Sequence, residues 1–398
     1  MKKETVVIIG QNYNTSLGLI KALGECGYRC EVGKRVKDIP RLATPELKSK
    51  YVDRYIYLKT EDDHLMVSRI IEIFSVSGTK KILIPSDDYC AALIDRNLEK
   101  LARYFIFPNV KGKSCEVERL MDKLYQKKLI RQYGINVVDS YVVDCRDKSN
   151  IRIPHELKYP CFIKPLTSAG KPKILIEKCN TEIDLQRALN NISEFYGCEM
   201  LVEQYVEIEK EYTIPGIAIG NEVIIPALLE KNKTGSGYHK GVTISGTVES
   251  IGSCRDTING IKQFVRDSGY QGIFDVELLF SKDIYYFNEM NLRYGAAGYA
   301  LTYSGINLPG MYADYVSGKT IGAVDTNMNL KFGKKFVNEK AAWEYYIAGY
   351  GTFREYIKTL LSTDIHFITT FKDIGPYIYF LRLMLVYFLA SLKNRVKL

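Results

Sequence analysis

The sequence contains no Cys-x-x-Cys pair, and none of its 4 histidines stands beside a cysteine. The 9 cysteines therefore offer neither a zinc-binding spacing nor a dithiol redox motif. Their number is odd and the closest two are Cys26 and Cys30, which fits buried free thiols in a reducing cytoplasm. No arginine-rich tract occurs either. The 55 basic and 46 acidic residues leave a net charge of +9, too diffuse to imply nucleic acid but suited to an anionic nucleotide, an acidic substrate or a membrane surface. No repeat and no low-complexity segment appears, so solenoid and fibrous architectures are excluded. Met1-Lys-Lys-Glu4 runs straight into a short apolar stretch and not into a long apolar helix, so no signal peptide is expected. GxGxxG is also absent. The turn after the first strand reads Gly10-Gln-Asn-Tyr-Asn-Thr-Ser-Leu-Gly18, and no acid closes the second strand, which argues against a dinucleotide site.

What is present is an ordinary soluble composition, 46% hydrophobic and 25% charged, in 398 residues, enough for two or three domains. Thr5–Ile9 reads as a buried parallel strand, and Ser16–Cys26 carries helical spacing through Leu17, Ile20 and Leu23. Arg29–Val32 reads as the next strand, His64–Phe74 as a helix and Lys81–Pro85 as a further strand. This alternation predicts a doubly wound α/β domain over residues 1–114. Ser86 and Asp87 follow a strand at its carboxyl end, where they read either as a helix N-cap or as substrate contacts. From Cys115 the pattern changes. A helix through Leu120, Leu124 and Leu129 is expected to end near Gly134, and short strands then dominate.

The richest segment is a hairpin. Asp275–Phe280 and Tyr285–Asn291 read as strands joined by Ser281–Ile284, and a turn centred on Asp283 sets Glu277 opposite Glu289 and Asp275 opposite Asn291. Side chains alternate along a strand, so all four would project from one face. Two opposed carboxylates repel unless something neutralises them. Oxygen-only donors such as Glu277, Glu289 and Asn291 suit magnesium, whose shell is completed by phosphate oxygens and water. The competing reading is a solvated acidic face without a ligand.

The run Phe287-Asn-Glu-Met-Asn-Leu-Arg293, with Glu277 twelve residues before Glu289, resembles the metal-binding signature of the ATP-grasp superfamily. Further pieces resemble that family in its order: Met121-Asp-Lys-Leu124, Tyr159-Pro-Cys-Phe-Ile-Lys-Pro165, the loop Leu166-Thr-Ser-Ala-Gly-Lys-Pro-Lys173 with its single glycine, and Leu201-Val-Glu-Gln-Tyr-Val206. Lys48-Ser-Lys-Tyr-Val-Asp53 looks like the family's segment before the second helix. The resemblance implies a two-lobed α+β ATP-grasp fold over 115–325, with ATP and Mg²⁺ as cofactors. Lys123 and Lys164 would then reach the phosphates, the backbone of Gln204 and Val206 would read the adenine edge beside Glu203, and Glu211 would hold the ribose. Glu277, Glu289 and Asn291 would bind the metal and Arg293 would act in catalysis. Lys240 or His239, before Gly241, would add a positive charge or form an ordinary exposed pair.

Asn291–Gly295 and Tyr303–Leu308 are similar to carboxylate–amine ligases of the D-aspartate ligase type. Phe274 stands where D-alanine–D-alanine ligases carry an arginine, which argues against dipeptide synthesis of that kind. The resemblance implies an enzyme that forms an amide through an acyl phosphate from a carboxylate and an amine, in cell-envelope or polysaccharide precursor assembly. Ligation of a small soluble metabolite, and a non-catalytic assembly factor, are the other two readings. A homodimer is among the states it implies. Residues 326–398 are expected to form a helical region. Within it, Ile374–Leu392 holds one charge, Arg382, and would span roughly 28 Å as a helix. Lys393, Arg395 and Lys397 follow it. Three readings stand for 374–398: a membrane span, a helix lying on the inner face of the plasma membrane near a lipid-linked substrate, or a helix packed on protein.

Overall fold

The computed structural model describes residues 4–39, 44–59, 62–166, 176–195, 197–236, 241–319 and 330–395. The apolar runs near the N-terminus become five parallel strands, in the order Val52–Leu58, Arg29–Arg35, Thr5–Gly10, Lys81–Pro85, Phe105–Ile106. Such runs are needed because both faces are covered. Val7 and Ile9 pack with Met66, Ile70 and Leu93 from the helices Asp63–Phe74 and Asp88–Arg96. Val6 and Ile8 pack with Leu19 and Leu23 of the helix Tyr13–Glu25 on the other side. Val52–Leu58 is the strand the sequence concealed. It is the half-exposed edge of the sheet, and it stands between the segment Lys48–Asp53 and the second helix, Asp63–Phe74. Strand order reverses between Thr5–Gly10 and Lys81–Pro85, which opens a crevice at the carboxyl ends of these two strands.

The helix expected through Leu120 and Leu129 is broken in two, Glu116–Leu120 and Lys123–Ile130. Asp122 causes the break by capping the second piece, accepting from the Tyr125 amide at 2.7 Å. A four-stranded antiparallel sheet follows, in the order Glu177–Cys179, Cys161–Pro165, Glu199–Gln204, Ser140–Asp144. Its core takes in Cys145, Cys161, Cys179 and Cys198, all buried free thiols, whereas Cys26 and Cys115 are exposed.

The third sheet has ten strands, with the long hairpin Tyr270–Ser281 and Ile284–Asn291 beside Lys210–Ile219. Phe274 is fully buried in its core and lies across from Gly216, on the face away from Asp275. The region after 326 is not helical throughout. Lys335–Val337 joins the ten-stranded sheet and Ile365–His366 forms its edge, between the helices Glu339–Ile347, Phe353–Leu361 and Gly375–Arg395. These strands escape a periodicity reading because two or three residues show no alternation. The buried Lys21 amine donates to the Phe367 carbonyl at 2.6 Å and the Ile368 carbonyl at 3.1 Å, fastening this region to the N-terminal helix. Asp373 accepts from Ser49 Oγ and the Lys50 amide just before the last helix begins. Among the described residues no helix is long and apolar enough to cross a membrane.

Gly216 leaves room for the Phe274 ring, since a Cβ there would meet Phe274 Cζ at 2.4 Å. Gly216→Ala is expected to lower unfolding free energy by about 1–3 kcal/mol in urea titrations. An unchanged midpoint would show that this strand pair is not close-packed.

Candidate active site

The hairpin places the sequence-derived residues together by a different route from the one expected. Its turn is the two-residue pair Lys282-Asp283, both with positive φ, 50° and 61°. That geometry matches the twist of a tight hairpin. A bulge at Asn288 then shifts the register by one residue, so that Glu277 faces Glu289 and Asp275 faces Asn291 as expected. The bulge also turns Asn288 toward the four-stranded sheet, where its Oδ1 accepts from Lys164 Nζ at 2.7 Å.

The facing carboxylates are balanced by lysines. Lys123 Nζ lies 2.9 Å from Glu289, and Lys231 Nζ lies 3.1 Å from Glu277 and 3.8 Å from Glu211. The expected repulsion is therefore met by the protein's own cations, and charge alone does not demand a metal. Gln126 sets Lys123 in place: its side chain donates to the Met290 carbonyl at 2.6 Å and accepts from the Met290 amide at 2.9 Å, locking the helix Lys123–Ile130 to the hairpin. Burial would raise the Glu289 carboxyl, but Lys123 and Lys164 outweigh it and hold the group well below the usual range. Lys231 is buried, which disfavours its charge, yet Glu277 and Glu211 keep it protonated.

A second buried knot lies in the neighbouring sheet. Glu203 pairs with Lys164 at 2.9 Å and with Lys127, which also donates to Ser140 Oγ at 3.1 Å. Burial opposes ionisation of Glu203, but Lys164 and Lys127 bring its carboxyl down to about 2. Burial and the nearby Lys164 lower Lys127 to about 8. The Gln204 amide donates to the Asp139 carbonyl and the Tyr205 amide to the Pro160 carbonyl, while Val206 is half-buried just beyond the strand. Asp275 accepts from Thr213 Oγ1 at 2.6 Å, and its burial, with Glu277 nearby, raises it to about 6.

Arg293 joins the hairpin to the helix Asp88–Arg96 of the parallel-sheet region. Its Nε lies 3.0 Å from Asp88 Oδ1, and an NH2 donates to Asn291 Oδ1 at 3.2 Å. Burial disfavours its charge, but Asp88 and Asp275 hold it protonated. Of the two substrate candidates, Ser86 is fully buried against Ser16. Asp87 is the N-cap of the helix Asp88–Arg96, accepting from the Cys90 and Gln11 amides. The cap reading therefore holds for Asp87. The next residue, Asp88, is the one that reaches the hairpin.

Lys240, His239 and the loop after Leu166 lie outside the described residues. Four site residues went unread in the sequence: Asp88, Lys127, Lys231 and Asn288. Only Lys127 carried a signal, standing four residues after Lys123 on one helix face. Among the described residues no three His, Cys, Asp or Glu side chains gather as a metal cluster. The donor set is two carboxylates and an amide, which fits a hard ion that takes its remaining ligands from phosphate and water.

No protein-family model matches the chain. It is 24% identical over 293 residues to a D-aspartate ligase of Enterococcus faecium, covering 66% of each chain. It is 26% identical over 129 residues to a D-alanine–D-alanine ligase of Helicobacter pylori, 32% of this chain and 35% of that one. The alignments thus span less than two thirds of these curated relatives. Among solved structures, an L-amino acid ligase from Bacillus licheniformis aligns with a TM-score of 0.61 at 15% identity, over 84% of this chain and 79% of that one. An N5-carboxyaminoimidazole ribonucleotide synthetase in complex with ADP aligns at 0.62 and 18% identity, over 84% and 82%. A biotin carboxylase domain of a Hydrogenobacter thermophilus 2-oxoglutarate carboxylase, complexed with MgADP, also aligns at 0.62 and 18%, over 83% and 73%.

Lys231→Met would leave Glu277 facing Glu289 without its cation. We expect a loss of about 2 kcal/mol in unfolding free energy, discounted for the partial exposure of Glu277. Millimolar MgCl₂ should recover part of that loss in thermal melts, because the freed carboxylates gain a use for a divalent ion. A variant as stable as wild type, or indifferent to magnesium, would refute the charge-balance account.

Proposed function

We propose that this chain, an ATP-grasp protein in fold and in sequence likeness, is an ATP-dependent carboxylate–amine ligase. The observation that carries the reading is the convergence of Lys123, Lys164, Glu277, Glu289 and Asn291 at one hairpin, with Arg293 between that hairpin and the N-terminal crevice. Hydroxide is a poor leaving group, so amide formation from a free carboxylate needs activation. A substrate carboxylate oxygen bonds to the γ-phosphorus of ATP as the bond to the ADP oxygen breaks. The amine nitrogen then bonds to the acyl carbon of the acyl phosphate and gives up a proton to solvent, the acyl carbon–oxygen bond breaks, and inorganic phosphate leaves.

In this scheme the protein supplies position and charge. Lys123 and Lys164 turn from their carboxylate and amide partners to phosphate oxygens, and Lys240 or His239 adds charge. Arg293 offsets the negative charge that develops at the acyl group. Backbone at Gln204 and Val206 receives the adenine beside Glu203, and Glu211 the ribose. Glu277, Glu289 and Asn291 would hold Mg²⁺, which when bound neutralises phosphate charge. Asp88 is the N-terminal domain's contribution next to Arg293. Glu289→Ala and Glu277→Ala are each expected to abolish ADP release from MgATP, measured with a panel of acids and amines, while circular dichroism stays unchanged. Turnover in either variant would remove the metal assignment. If wild type binds MgATP but releases no ADP with any pair, the non-catalytic reading replaces the enzymatic one.

The finer reading is precursor assembly at the cell envelope, on a carboxylate or amine carried by a lipid. The likeness to a D-aspartate ligase supports it. So does the last helix, where Ile378, Leu381 and Leu385 form an exposed stripe, with exposed Ile374 just before it, while Phe380 is buried opposite. From Phe371 onward the chain has five cations, Lys372, Arg382, Lys393, Arg395 and Lys397, against the single carboxylate of Asp373. A basic helix with an apolar stripe suits an anionic lipid surface, and two such helices would repel each other. Full-length protein should sediment with vesicles containing phosphatidylglycerol and not with phosphatidylcholine vesicles. The double substitution Ile378→Glu, Leu381→Glu should release it without altering ADP release on soluble substrates. Binding that ignores both lipid charge and the stripe would favour the soluble-metabolite reading, to which the L-amino acid ligase neighbour also lends support.

A further inference from the structure

The crevice of the N-terminal sheet holds a second guanidinium. Arg35 ends the strand Arg29–Arg35, and its guanidinium carbon stands 3.7 Å from the centre of the Tyr89 ring. One of its nitrogens donates to Gln11 Oε1 at 3.3 Å. Tyr89 is itself fixed, its hydroxyl donating to Asp63. Arg35 makes no ion pair with a carboxylate among the described residues, whereas its neighbour Lys34 is paired with Glu46 and Arg293 with Asp88. A guanidinium stacked on an aromatic face keeps its planar N–H edge free for a two-pronged oxyanion contact.

The placement is set by three consecutive residues. Asp87 accepts from the Gln11 amide, Asp88 holds Arg293, and Tyr89 stacks under Arg35. The two arginines are therefore organised by one short segment at the mouth of one crevice. Arg293 is accounted for by the reacting acyl group, and Arg35 has no role there.

We infer that Arg35, backed by Tyr89 and Gln11, is a specificity-determining subsite for a second oxyanion of the substrate, a carboxylate or phosphate other than the one that reacts. This deepens the ligase reading and rests on it. The substrate class it selects is a dianionic acid or an amine bearing an anionic group.

The test uses the full chain with MgATP and three partner sets: neutral amino acids, dicarboxylic amino acids, and a phosphate-bearing amino acid such as phosphoserine. ADP release should be best with one of the two anionic sets, and which of them it is tells carboxylate from phosphate. Arg35→Ala should raise KM for that set roughly 10- to 100-fold, as loss of a charged two-pronged contact does, with kcat nearly unchanged. Arg35→Lys, which keeps the stacked charge but loses the planar fork, should fall between. For neutral amino acids both variants should match wild type.

Preference for neutral substrates, or an equal loss in all three sets, would overturn the inference. Calorimetric titration of a dicarboxylic amino acid and of phosphoserine into protein saturated with a non-hydrolysable ATP analogue separates this from failure of the ligase reading. Arg35-dependent binding without turnover would sink the ligase and sustain the subsite. Absence of any such binding would sink the subsite.

Discussion

Everything at the candidate site depends on one awkward pairing, Glu277 opposite Glu289 on adjacent strands. Two carboxylates in that position destabilise a sheet unless each has a cation, and each has one: Lys231 for the first and Lys123 for the second. The need propagates outward. Lys123 must come from a helix pinned to the hairpin, and Gln126 pins it through both backbone groups of Met290. Lys231 must be buried, because the strand that carries it lies in the interior of the ten-stranded sheet. A third lysine, Lys164, reaches the bulged Asn288 from the four-stranded sheet, which makes the bulge a contact between two sheets as well as a register device.

The same strand serves core and site by alternation. Phe274, Val276 and Leu278 are fully buried in the core, whereas Asp275 and Glu277 point the other way. This alternation also fixes what position 274 can hold. A charged side chain at Phe274 would enter an apolar core beside Gly216 with no partner. The opposite face has room for charge only because the lysines meet it.

The legibility of these features in the sequence follows their physics. The parallel sheet could be read because buried strands need continuous apolar runs, and the hairpin could be read because its strands alternate. The facing of Glu277 and Glu289 follows equally from a regular hairpin turning on Asp283 and from the actual turn, half a residue earlier, followed by a bulge at Asn288, because the two differences cancel. Bulges leave no pattern in a single sequence. Lys231 and Asp88 were hidden for another reason: their partners are 46 and 205 residues away, and no local period records so distant a pairing. The short strands after residue 330 were hidden because two or three residues carry no period.

The lysine–carboxylate pairs also bear on how such a site handles a highly charged ligand. Leaving the half-buried Glu277 and Glu289 facing each other unpaired in the empty state would be costly. With lysines in place, that cost is met before any nucleotide arrives. A nucleotide triphosphate accompanied by a divalent ion brings charges of both signs, so under the proposed function each existing pair is exchanged for another of like strength: carboxylate to metal, lysine to phosphate. Under that function desolvation would differ little between the empty and filled states, and the binding energy would be left for the contacts that differ, those at Arg293 and the crevice beyond Asp88. A site arranged in this way selects among substrates at the crevice and treats the triphosphate as a constant.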